Sequence, residues 1–229
     1  MSGLALIVGT GPGLGAALAR ACAASGMRVA LAARDTGKLA GLAAATGAQT
    51  FACDVAERAS VERLFAAVEA AHGVPDLVVF NASFRIRGPF VDLDPAGVER
   101  TLRVAALGGF HVGQLAAQRM LPRASGSIFF TGASASVKGY AQSAPFAMGK
   151  FGLRGLAQSM ARELAPKGLH VAHFVIDGGI RQANDPRGDR GPDGLLEPDA
   201  IAETYLHVHR QKRSAWTWEV ELRPWVENF

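Results

Sequence analysis

The segment "VGTGPGLGAALA", Val8 to Ala19, constrains the fold more than any other part of the chain. An apolar run from Leu4 to Val8 leads into it, and an alanine-rich stretch of helical character starting at Leu14 leads out. A strand that turns through Gly9, Gly13 and Gly15 into a helix brings bare backbone N–H groups and a helix N-terminus to one place, where a pyrophosphate can approach closely. Glycine turns also serve as plain tight connections, so the remainder of the chain must decide between the two uses.

That remainder alternates in the same way. Short apolar runs rich in Val, Leu, Ile and Phe predict strands at Leu4 to Val8, Arg28 to Ala32, Gln49 to Cys53, Leu77 to Phe80, Ser127 to Phe130, His170 to Ile176 and Thr217 to Leu222. Helices are expected between them at Leu14 to Ser25, Gly37 to Ala45, Arg58 to His72, Ala96 to Met120, Ala144 to Ala165 and Asp199 to His209. Strands that are apolar throughout are covered on both faces, and strand–helix alternation builds a parallel sheet. At 229 residues and 49% hydrophobic the chain suits one large α/β domain, residues 1–229. The pattern breaks once, over Gly178 to Pro198, where glycine, proline and charge take over. A loop this long inside a compact domain suggests a lid.

Several function classes are unfavourable. The net charge of +4 comes from 24 basic and 20 acidic residues spread along the chain, and the one dense basic run, His209 to Arg213, reads as a solvated helix end, so no nucleic-acid partner is expected. Cys22 and Cys53 form neither a disulfide framework nor a metal-ligand spacing, and no metal is expected. No basic segment precedes a long apolar one at the N-terminus, and no stretch of about 18 apolar residues occurs. A cytoplasmic protein without membrane partners is the expectation.

The glycine spacing resembles the turn of the short-chain dehydrogenase/reductase family, and further segments resemble that family's markers in the right order. They are "CDV" at Cys53 to Val55, "FNAS" at Phe80 to Ser83, "VIDGGI" at Val175 to Ile180 and "GLLEPDAIAE" before the last helix. The resemblance implies a three-layer Rossmann fold, with a doubly wound parallel sheet of about seven strands. It implies a nicotinamide dinucleotide held by Gly9, Gly13, Leu14, Gly15, Asp54, Val55, Asn81, Ala82, Lys150, Gly178 and Ile180, with Asp54 at the adenine. It also implies a homodimer or homotetramer packed through the helices at Ala96 to Met120 and Ala144 to Ala165. Family members that prefer NAD end the second strand with an acidic residue. Here Ala33 holds that place and Arg34 comes next, and a guanidinium grips a phosphate by paired charge-assisted bonds, so NADP(H) is expected over NAD(H).

The resemblance also exposes a gap. The family uses a tyrosine as proton donor, a lysine four residues later, a serine and an asparagine. Lys150 fits the lysine, but counting back gives Phe146 for the tyrosine, Ala133 for the serine and Ala105 for the asparagine. Nearby hydroxyls that could substitute are Ser134 and Tyr140. A phenyl ring keeps the tyrosine's shape without its proton, and a general acid contributes roughly 10² to 10⁴ in rate. Three readings are open: an NADP(H)-dependent oxidoreductase of small carbonyls or alcohols with an altered tetrad, a catalytically silent NADP(H)-binding sensor or partner subunit, and a structural subunit. The retained glycines, Arg34 and Asp54 argue against the last.

Overall fold

The computed structural model describes residues 3–182, 190–191 and 193–227. In chain order the elements are β1 (Leu4–Val8), α1 (Leu14–Ala24), β2 (Arg28–Ala33), α2 (Ala40–Thr46), β3 (Gln49–Ala52), α3 (Arg58–His72), β4 (Leu77–Phe80), α4 (Pro95–Leu102), α5 (Gly108–Met120), β5 (Gly126–Thr131), α6 (Ala144–Leu164), β6 (Leu169–Ile176), α7 (Pro198–His209) and β7 (Glu219–Leu222). All seven strands are parallel, in the order β3-β2-β1-β4-β5-β6-β7. This is the doubly wound sheet that the strand–helix alternation predicts. The order reverses between β1 and β4, and ligands of such sheets bind outside the carboxyl ends of the strands at that point.

The inner strands are buried on both faces, the edge strands β3 and β7 only in part, and strand residues sort by parity. Leu4, Leu6 and Val8 pack with α3, α5 and α6, while Ala5 and Ile7 pack with α1 and α7. Three layers result, and two apolar cores fix the register, because a one-residue slip would exchange the faces of every strand. None of the described helices is long and apolar enough to cross a membrane.

One expected element is corrected. The helix foreseen as continuous from Ala96 to Met120 is interrupted by a π-helical turn, Arg103–Leu107, between α4 and α5. A π-turn inserts a residue and rotates the next stretch of helix about its axis, and such turns concentrate at functional sites. Ala105 lies at its centre, fully buried, and a Cβ added to Gly149 on α6 would come within 2.9 Å of the Ala105 Cβ. Periodicity carries no signal for this turn, since the apolar pattern on either side remains helical.

The loop at 178–198 is only partly described, and the lid expectation for 183–189 and 192 lies outside the described residues. Its two ends are joined: Ile180 bridges to Leu196, Arg181 donates to the Leu196 carbonyl at 2.8 Å, and Leu196 donates to that of Gly179 at 2.9 Å.

Candidate active site

At the switch point the turn after β1 is shaped by what it must avoid. Gly9 has φ +88°, and a Cβ there would lie 2.3 Å from the Ala82 amide nitrogen, so only glycine lets the turn approach β4 this closely. The Asn81 side-chain amide donates to the Gly9 carbonyl at 3.1 Å and clamps the two segments together. Gly11 and Gly13 face open space. No side chain caps α1, and its first turn has no acidic residue. The uncapped N–H groups and the positive end of the helix are therefore left for an anion.

This turn opens into a cleft of about 660 Å³, lined among others by Gly9, Thr10, Arg34, Lys38, Asp54 and Val55. The wall carries the chemistry of an adenosine site: glycine backbone, a carboxylate at Asp54, apolar surface at Val55, and two cations, Arg34 and Lys38. Asp35 lines the same cleft, and its carboxylate accepts from the Gly37 N–H at 3.0 Å and pairs with Lys38 at 3.4 Å. The residues present fit a dinucleotide. Of the expected contacts, Gly9, Arg34, Asp54, Val55 and Ala82 line the cleft. Leu14 and Gly15 are buried at the start of α1, Gly178 packs against Pro224, and Ile180 lies in the bridge to Leu196.

Lys150 sits on α6 behind the end of β5 and is only 2% exposed. Its ammonium donates to the Thr131 carbonyl at 2.7 Å and lies 5.7 Å from the centre of the Phe146 ring, as residues i and i+4 on one helix face must. Burial pushes the Lys150 pKa down to about 8. Beneath it runs a buried polar chain. His173 Nδ1 is 3.1 Å from Glu219 Oε2, and Arg154 holds Glu219 by two bonds of 2.6 and 2.8 Å. Among the described residues His173 Nε2 has no hydrogen-bond partner, and it faces Gly132, where a Cβ would lie 2.3 Å from it. Desolvation pushes the His173 pKa down to about 4 despite Glu219.

The candidate hydroxyls are differently placed. Ser134 stands beside Asp177, a buried carboxylate that receives Lys138 Nζ at 3.2 Å. Burial alone would raise the Asp177 pKa, but the Ser134 and Lys138 bonds and the Lys138 and Arg223 charges outweigh it and hold it low. Ser136 is fully buried and accepts from the Ala133 N–H at 3.1 Å. Tyr140 stands in the loop before α6, 45% exposed. Arg85, in the segment after β4, donates to the Ser143 hydroxyl at 3.0 Å, with its guanidinium carbon 4.7 Å from the Phe146 ring centre.

Sequence reasoning missed Lys38, Thr131, His173 and Arg85. Lys38 could have been found, four residues beyond Arg34 in the same loop. Thr131 acts through its backbone and leaves no sequence signal. His173 and Arg85 acquire meaning only from partners 46 and 58 residues away.

Known proteins resemble this chain in sequence and fold. The family model for short chain dehydrogenase matches residues 3–183. The 3-oxoacyl-[acyl-carrier-protein] reductase MabA of Mycobacterium tuberculosis is 31% identical over 189 residues, covering 81% of this chain and 74% of its own. The crystal structure of a short-chain dehydrogenase from Rhodopseudomonas palustris superposes with a TM-score of 0.83 at 35% identity, covering 97% of this chain and 98% of that one. A metagenomic short-chain oxidoreductase crystallised in complex with NADP gives a TM-score of 0.83 at 29% identity, with 98% of each chain covered.

Proposed function

The chain belongs to the short-chain dehydrogenase family, and on that premise we propose that it is an NADP(H)-dependent oxidoreductase of a carbonyl/alcohol pair in which Lys150, not a tyrosine, governs the proton. Bound nicotinamide supplies or accepts the hydride at the substrate carbon.

The observation that carries this reading is the buried ammonium of Lys150 beside the Phe146 ring. With Phe146 in the place of the family's tyrosine, the ring gives shape but no proton. Lys150, with a pKa of about 8, is protonated at neutral pH and is a stronger acid than an ordinary tyrosine. In the reducing direction it releases a proton towards the developing oxyanion and regains one from solvent; in the oxidising direction it accepts. The Thr131 carbonyl keeps the ammonium in place, and the apolar wall strengthens its field. Ser134, beside the Asp177 carboxylate, takes the serine's part of orienting the substrate.

Preference for the phosphorylated dinucleotide rests on Arg34 and Lys38 together, with the Asp35 carboxylate held by the Gly37 N–H. Self-association is part of the same reading: Leu107, Phe110, Met148 and Phe151 are large apolar residues left 41–52% exposed on the π-turn, α5 and α6. A second copy would cover them, which size-exclusion chromatography with light scattering reads directly.

The deciding experiment follows NADPH oxidation against a panel of ketones from pH 6 to 10. Turnover that declines above about pH 8 in reduction and rises there in oxidation supports Lys150 as the titrating group. Tight NADPH binding without any turnover would instead leave a cofactor-binding module, the reading that the missing hydroxyl favours.

A further inference from the structure

Two arginines, Arg85 and Arg87, lie in the segment between β4 and the rest of the site, in "NASFRIRGPF". Among the described residues neither forms an ion pair with a carboxylate. The Arg85 guanidinium is nevertheless held in place. One Nη2 hydrogen goes to the hydroxyl of Ser143, a fully buried residue at the start of α6, and the guanidinium carbon lies 4.7 Å from the Phe146 ring centre. The segment itself is tied to the loop before α6, where the Gly88 N–H donates to the Gln142 carbonyl at 3.2 Å.

An arginine fixed by an aromatic stack and a single hydroxyl keeps its remaining N–H donors available in a planar fork, the geometry that matches a carboxylate. Partial burial and the neighbouring Arg87 charge both disfavour its protonated form, a tension that a bound anion relieves. The same Phe146 ring that Arg85 touches has the Lys150 ammonium 5.7 Å from its centre. Two cations therefore meet at the ring that stands where the family's acid would touch the reacting oxygen. With both cations set around one ring, a group held by Arg85 belongs to the same small substrate as the oxygen that Lys150 serves.

We infer that Arg85 selects a substrate bearing a carboxylate next to its carbonyl: a short oxo acid, or the corresponding hydroxy acid in the reverse direction. The inference rests on the proposed oxidoreductase reading and names its substrate class. It assigns Ser143 a positioning role, because its hydroxyl sets the angle of the fork. It also offers a reason why a site can dispense with the tyrosine hydroxyl, since a substrate clamped by its carboxylate leaves its carbonyl aimed at Lys150 without a second donor.

The test uses matched pairs, pyruvate, 2-oxobutyrate and phenylglyoxylate against their methyl esters, with binding measured by calorimetry on the protein saturated with NADP⁺. Separate titration with NADPH alone reports on the cofactor site. The wild type should bind at least one acid about ten-fold or more tighter than its ester. Arg85→Gln should remove that difference while leaving ester binding and NADPH affinity within about two-fold, Arg85→Lys should restore part of it, and Ser143→Ala should weaken the acid alone. Acid and ester binding equally, no oxo acid binding at all, or Arg85→Gln weakening both forms alike would each overturn the inference. Failure of NADPH to bind the wild type would overturn the oxidoreductase reading instead, and is seen in the separate titration.

Discussion

The Lys150 ammonium lies 2.7 Å from the Thr131 carbonyl oxygen, so a charge carried by α6 is bonded to the backbone at the end of β5 and almost wholly buried. Burial moves its pKa from 10.5 to about 8. Below pH 8 both the folded and unfolded chains hold this proton, and the fold carries the full cost of burying the charge. Between pH 8 and 10.5 the folded chain sheds it first, so stability rises with pH, and above 10.5 the effect is constant.

Lys150→Met should therefore stabilise the protein without cofactor at pH 7, by about 1–3 kcal/mol after loss of the Thr131 bond, with the difference shrinking towards pH 10. The same variant should lose most NADPH affinity. Urea unfolding at pH 7 and 10 checks the first statement, and a variant less stable than wild type at pH 7 would contradict it.

Phe146→Tyr adds one hydroxyl close to Lys150, whose charge favours the phenolate. Combined with Ala133→Ser it should raise carbonyl reduction about ten-fold or more. Ala105→Asn does not belong in that combination. Ala105 is fully buried against α6 beside Gly149, and a larger side chain there would force the helices apart. Assays of the double variant and of the triple should show the triple unfolding at lower temperature without further gain.

Arg34 and Lys38 line the same cleft, and together they should make NADPH bind about ten-fold or more tighter than NADH. Arg34→Ala should remove most of this preference and Lys38→Ala a smaller share, because Lys38 is shared with Asp35. Nucleotide fluorescence titration measures both, and equal affinities in the wild type would exclude the assignment.

His173 predicts the behaviour in acid. Its pKa is depressed to about 4, mainly by burial, so it contributes stability that is present above pH 6.5 and is lost as pH falls towards 4. Burial lowers the His170 and His209 pKa values as well, and they add to the same slope. His173→Asn should flatten the decline in unfolding free energy between pH 6.5 and 4.5, measured by urea titration, by about 1–3 kcal/mol. An unchanged decline would place the acid sensitivity on the other two.

The sequence by itself determined the strand–helix order, the glycine turn and the i, i+4 pairing of Phe146 with Lys150, because each is a local regularity of apolar spacing, backbone freedom or helix pitch. It also marked Arg34, which stands one residue beyond the end of β2. Only the tertiary structure decided what these groups became. The π-turn at Arg103–Leu107 is set by packing against α6, and the depressed Lys150 pKa is set by burial behind β5. Lys138 is bonded to Asp177, 39 positions along the chain, and Arg85 is fixed by Ser143, 58 residues away. Hydrogen bonds, desolvation and ring stacking act over a few ångströms in space. Residue type and spacing along the chain specify them only after the sheet has brought distant segments together.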